Sequence, residues 1–235
     1  MSKSKQYTKR QLPPCPDPQQ YVLVKTKDSR YFWRLKRGTL TPATLNAAFA
    51  ENLQLTCLLS PACKKITSIL QPFTIRMETK NLHNFLLTGL KKHYKQYRQP
   101  GFQYLKGLDL QPQWPLHNLL KQTIYTGLQD DFVSTRFLIN QFSVTKFNNL
   151  LTEYYFEAVL LCGDILMHQE LELWSQQSEL FSFSEPPNKE CSFSFAIPKQ
   201  QPWMLLLKVA CFEGHQQAAH PKHYAMKILE TGQGH

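Results

Sequence analysis

The chain has 235 residues, with 42% hydrophobic and 12% aromatic residues, a composition that excludes a wholly disordered polymer and suits one or two packed domains. Its net charge of +10 is unevenly spread: residues 1–122 carry 20 Lys and Arg against 5 Asp and Glu, whereas residues 123–235 carry 7 against 12. Such polarity predicts a polyanion or an acidic surface as partner to the first half.

No apolar run approaches the roughly 18 residues of a membrane span, since Ala158–Cys162 and Trp203–Leu207 are only strand-sized. The start is basic (Lys3, Lys5, Lys9, Arg10), but Pro13, Pro14, Pro16 and Pro18 stand where a signal peptide needs its apolar core. The expectation is a cytoplasmic, unexported protein with no membrane partner, whose six cysteines are reduced thiols.

In chain order, residues 1–20 read as a flexible or extended basic leader, followed by a basic hairpin-and-helices domain with its connector over 21–120 and a second domain over 121–235. Period-two alternation over 21–37 predicts a β-hairpin turning at Asp28–Ser29, with Lys27 opposite Arg30, Val24 opposite Trp33 and Val22 opposite Leu35. That register gathers Val22, Val24, Tyr31, Trp33 and Leu35 on one face. The other carries Lys25, Lys27, Arg30, Arg34 and Lys36, with Tyr21, Leu23 and Phe32 among them. Thr41–Pro42 and Ser60–Pro61 each read as N-cap plus first helical residue, predicting two helices, the first burying Leu45, Phe49, Leu53 and Leu55, the second Ile66, Ile69 and Leu70. A third helix over 79–98 places Leu82, Leu86, Leu90, His93 and Tyr97 on one side and Lys91, Lys95 and Arg98 opposite.

Residues 99–120 form a connector held by Phe102, Leu105, Leu108, Trp114 and Leu116. Beyond Lys121 the helical period gives way to short strand-like runs over 123–128, 135–144, 154–162, 171–174, 178–182, 191–197, 203–212 and 224–230. The fold class expected is α+β: a basic β-hairpin with three helices, then an antiparallel β-sandwich for which an immunoglobulin-like topology is one option.

Candidate sites follow from the charges. Lys27 facing Arg30 would cost stability unless an anion lay across them, and Phe32 adds a surface for base stacking. The polyanion-binding set is therefore Lys25, Lys27, Arg30, Phe32, Arg34, Lys36, Lys91, Lys95 and Arg98. The only crowd of metal-capable donors is Cys211, His215, His220 and His223, at spacings that match no standard zinc module. The chain has no G-x-S-x-G elbow, phosphate-cradling glycine loop or dinucleotide fingerprint, and no cofactor is expected. The leading expectation is a non-catalytic protein that binds a polyanion, nucleic acid first. Beside it stand a scaffold whose oppositely charged halves associate with each other or dock a protein partner, and a metal-dependent enzyme at the Cys/His loop.

Overall fold

The structure is a computed structural model and describes residues 11–36, 47–141, 143–166, 171–185 and 187–234. The helix start expected at Thr41–Pro42, together with Leu45 and the first ten residues of the leader, lies outside them. The chain forms two compact units, Met1–Asn52 and Leu53–His235. It is an α+β protein whose second half is rich in antiparallel sheet.

The first unit contains the hairpin, β1 (Tyr21–Lys25) and β2 (Tyr31–Leu35). The two helices expected next are one, α1 (Ala47–Thr74), with Pro61 inside it. The apolar stripe explains this correction, because Leu55, Leu59, Ala62, Cys63, Ile66 and Leu70 recur at three- and four-residue steps straight through Ser60–Pro61 and are all buried. An interior proline costs about 3 kcal/mol. Burying each of Leu59, Ile66 and Leu70 returns roughly 1.5–3 kcal/mol, so packing overrides the local stop signal. Phe49 and Leu53 fall off the stripe and are 56% and 48% exposed, contrary to expectation.

Helix α2 (Leu82–Tyr97) buries Leu82, Leu86, Leu90 and His93 as its periodicity requires, while Tyr97 stays exposed. Two glycines permit close approach: a Cβ on Gly89 would overlap the Leu105 side chain, and one on Gly101 would overlap the His93 ring. Burial without a compensating hydrogen bond lowers the His93 pKa.

The sheets comprise β3 (Tyr125–Gln129), β4 (Phe132–Ile139), β5 (Leu151–Cys162), β6 (Glu172–Gln177), β7 (Phe181–Ser182), β8 (Lys189–Ala196), β9 (Pro202–Glu213), β10 (Gln216–Gln217) and β11 (Tyr224–Gln233). One sheet has the order β10–β9–β5–β6, with β11 also on β9 and β7 also on β5; the other has the order β3–β4–β8. Strands β5 and β9 are buried on both faces, which is why their sequences read as apolar runs. On one face Phe156 meets Phe137 of β4 with ring centroids 4.7 Å apart. On the other, Lys208 lies 5.8 Å from the Phe73 ring of α1. There Lys208 also forms an ion pair of 3.0 Å with Glu157, its partner across the β5–β9 ladder, with side chains only 9% and 13% exposed. By contrast β4 and β8 alternate between buried and exposed, as expected of strands covered on one side.

The connector lies against the body, as its apolar anchors predict. Gly107 donates to the Ile228 carbonyl at 2.8 Å, Ile228 donates to Leu108 at 2.9 Å, and Leu110 donates to Met226 at 2.8 Å, so the segment runs along β11. Gln111, fully buried, locks it by accepting from the Glu78 amide at 2.8 Å and donating to the Pro221 carbonyl at 2.9 Å. The six cysteines are free thiols, four of them buried. Among the described residues no helix is long and apolar enough to cross a membrane.

Candidate polyanion interface

The hairpin loop sets the first group of candidate residues. Thr26 donates its amide to the Arg30 carbonyl at 2.8 Å, and Ser29 sits in the left-handed region at φ 57°, so the loop is Lys27–Asp28–Ser29. Three-residue loops of this kind place a left-handed residue at their last position. The sequence predicts a two-residue turn, and the extra residue shifts the register by one: Val22 pairs with Arg34, Leu23 with Trp33, Val24 with Phe32 and Lys25 with Tyr31. A slip of one exchanges the faces of one strand relative to the other.

The single basic face is therefore corrected. Arg30, Phe32, Arg34 and Lys36 share a side with Val22 and Val24. Lys25 lies on the opposite side with Tyr21, Leu23, Tyr31, Trp33 and Leu35, and Lys27 is in the loop rather than across from Arg30. The like-charge pair that motivated an intervening anion does not form. Part of the leader folds back on the Trp33 side, where the Trp33 indole N–H donates to the Pro13 carbonyl at 2.9 Å. Lys36 Nζ donates to the Pro18 carbonyl at 2.9 Å, and the Tyr21 amide donates to the Asp17 carbonyl at 2.9 Å. No residue over 11–36 is fully buried, and Arg30, Arg34, Lys25 and Lys27 are exposed.

The second group belongs to the helices. Lys95 is exposed, and Arg98 is exposed at the left-handed C-cap of α2, its amide donating to the Tyr94 carbonyl. Lys91 is half-buried and donates to Thr56 Oγ1 of α1 at 2.7 Å, so it helps join the helices as well as carrying charge. Sequence reasoning missed Lys64, Lys65 and Lys80. Lys64 and Lys65 border a cavity of about 510 Å³ with Ser68 and Ile69. Lys64 also borders a second cavity, of about 420 Å³, with Thr67, Ser68, Thr79 and His83. The available signal was the near-absence of acid: between residues 53 and 98 there are eight Lys and Arg, and Glu78 is the only carboxylate. In the sheets the balance reverses.

The Cys/His group is dispersed. Cys211 points from β9 toward Tyr154 in the sheet interior, where burial pushes its thiol up to about 12. His215 is exposed beside Gly214, whereas His220 accepts the Lys222 amide at its Nδ1, at 3.1 Å. His223 is 1% exposed, its Nε2 3.9 Å from Glu213 and its ring against Phe147; burial, then the neighbouring Lys222, lowers its pKa. Among the described residues no three His, Cys, Asp or Glu side chains are placed to hold a metal ion. Of the proline-framed tryptophans, Trp203 is 2% exposed and packs over Gly232, and Trp114 is half-buried with its ring edge-on to His220. Neither offers a fully exposed anchor for a protein partner. No protein-family model matches this sequence, and no curated protein matches it.

Proposed function

We propose that this is a non-catalytic binding protein whose basic N-terminal half contacts a polyanion, nucleic acid first, within the cytoplasm. The observation that carries the reading is the hairpin side formed by Arg30, Phe32, Arg34 and Lys36: alternate residues of β2 and the positions flanking it present cations around an aromatic ring, in a segment with no fully buried residue. A two-stranded hairpin is marginal in water on its own, so a surface to lie against stabilises it. Arg34 and Lys36, two residues apart, suit successive phosphates, and the Phe32 ring between Arg30 and Arg34 suits a base. Lys64, Lys65, Lys80, Lys95 and Arg98 supply a second basic surface, on the helices of the other unit and the turn between them. Phosphate neutralisation with counterion release provides most of the affinity, and stacking adds preference for single strands. For the architecture, the two facing antiparallel sheets support a sandwich, the immunoglobulin-like version remaining part of this proposal.

Backbone charge is the discriminating variable. A fluorescent 20-nucleotide single-stranded RNA, followed by anisotropy, is expected to bind, while the same sequence on an uncharged backbone is not. Equal binding of both, or of neither, contradicts the proposal. The scaffold reading instead predicts concentration-dependent self-association in sedimentation without RNA binding.

A further inference from the structure

We propose that the outer edge of β8, beside β6, accepts an extended peptide strand from a partner protein. Strands β6 and β8 each end their sheets in the pairing order, so each presents an edge without a neighbouring strand among the described residues. A side chain occupies the place where such a strand would lie. The Gln176 amide donates from Nε2 to the Ser194 carbonyl at 2.6 Å and accepts from the Ser194 amide N–H at its Oε1, at 3.2 Å. This reproduces, with one carboxamide, the reciprocal pair of bonds that a strand backbone makes to a facing residue.

The periodicity of β8 extends the argument beyond Ser194. Ile197, just past the strand, donates its amide toward β4's side, to the Asp131 carbonyl at 2.7 Å, so odd positions bond inward and even positions face the open edge. Backbone groups of Ser192 and Ala196 share the direction of those of Ser194. The space beside them is a cavity of about 420 Å³, lined by Trp174, Ser175 and Gln176 from β6 and by Phe195 and Ile197 from β8 and its exit. Trp174 is 39% exposed, whereas Phe195 and Ile197 are nearly buried, giving an apolar floor under a polar edge.

That combination specifies the occupant. Main-chain bonds to an edge give affinity to any extended backbone, and alternate side chains give selectivity. The cavity is lined without any charged side chain, which favours an uncharged strand with apolar residues on its inward side over either a basic segment or a phosphate chain. Because the incoming strand must displace the Gln176 side chain, the competent state is only a fraction of the population and the apparent affinity is reduced accordingly.

The probe is an acetylated, amidated heptapeptide of alternating Thr and Val, added to the ¹⁵N-labelled full chain. Its control is the same peptide N-methylated at every residue, which removes the backbone donors from both edges. The Ser194 amide and the Gln176 side-chain amide are expected to shift together with the first peptide and not with the control. Gln176→Ala is expected to bind the first peptide roughly threefold or more tightly, because the competitor is gone. Absence of shifts in wild type at millimolar peptide, equal shifts with the methylated control, or weaker binding by Gln176→Ala would overturn the proposal. Shifts at Ser194 that follow protein concentration without peptide would assign the edge to a second copy and overturn the partner-peptide reading.

Discussion

Replacing Lys208 with Met is expected to destabilise the second unit by about 3–5 kcal/mol, because it strands the Glu157 carboxylate at a nearly buried site between β5, β9 and α1. The pair is held at 3.0 Å on adjacent strands with the Phe73 and Tyr155 rings near the ammonium, so water has little access to compensate a lost partner. The ion pair itself need not contribute net stability; what costs free energy is the uncompensated charge. Replacing both partners, Lys208→Met with Glu157→Leu, is therefore expected to recover most of the loss. Urea or thermal denaturation reads the result, the single change lowering the melting temperature by roughly 10 °C at this chain length. A single variant within about 1 kcal/mol of wild type would mean that this site is wetter than its exposure indicates.

Charge reversal on the hairpin has the largest expected effect on binding. Arg30→Glu with Arg34→Glu removes two cations from one side and places carboxylates against phosphate, so RNA affinity is expected to fall about 10–100-fold at moderate salt. The matched control is Lys25→Glu with Lys27→Glu, which makes the same change in net charge but alters the other side and the loop. Its expected effect is several-fold smaller. The observed register makes this a discriminating comparison, since the register read from sequence would place all four residues on one face and predict equal losses. Neither pair contributes to a buried core, so circular dichroism of the variants is expected to match wild type.

Much of the fold was legible where burial writes a period into the sequence. The apolar runs of β5 and β9 and the alternation of β8 follow from being covered on two sides and on one side respectively. The α2 stripe was equally clear, because Leu82, Leu86, Leu90 and His93 all face inward. Failures occurred where a local signal competed with a tertiary one. Ser60–Pro61 carries the residues of a helix start, but the buried stripe continues on both sides of it. The hairpin register turned on whether the loop has two residues or three, a difference decided by Ser29 adopting a left-handed backbone that its residue type does not announce. No sequence rule would connect Gln176 to Ser194, or Gln111 to the amide of Glu78, since those bonds exist only after the chain has brought remote segments together.

The candidate site was legible as a composition but not as a surface. Counting charges located the basic half; it could not divide Lys25 from Arg34 or reveal that Lys91 is engaged with Thr56. It also passed over Lys64 and Lys65, which look like ordinary solvated helix residues until Ser68, Thr79 and His83 are seen around the same cavities. The Cys/His segment shows the converse: four promising residue types within a short stretch, separated in the fold because Cys211 points into the sheet interior while His215 is exposed.

Central to the account is that basic side chains of the N-terminal half neutralise phosphates, and the salt dependence of binding tests this most directly. With about four to six phosphates neutralised, affinity for the 20-nucleotide strand is expected to fall roughly 50- to 300-fold between 50 and 200 mM salt, with a log–log slope near −3 to −4. An affinity that stays weak throughout, or that is unchanged across this range, would contradict it.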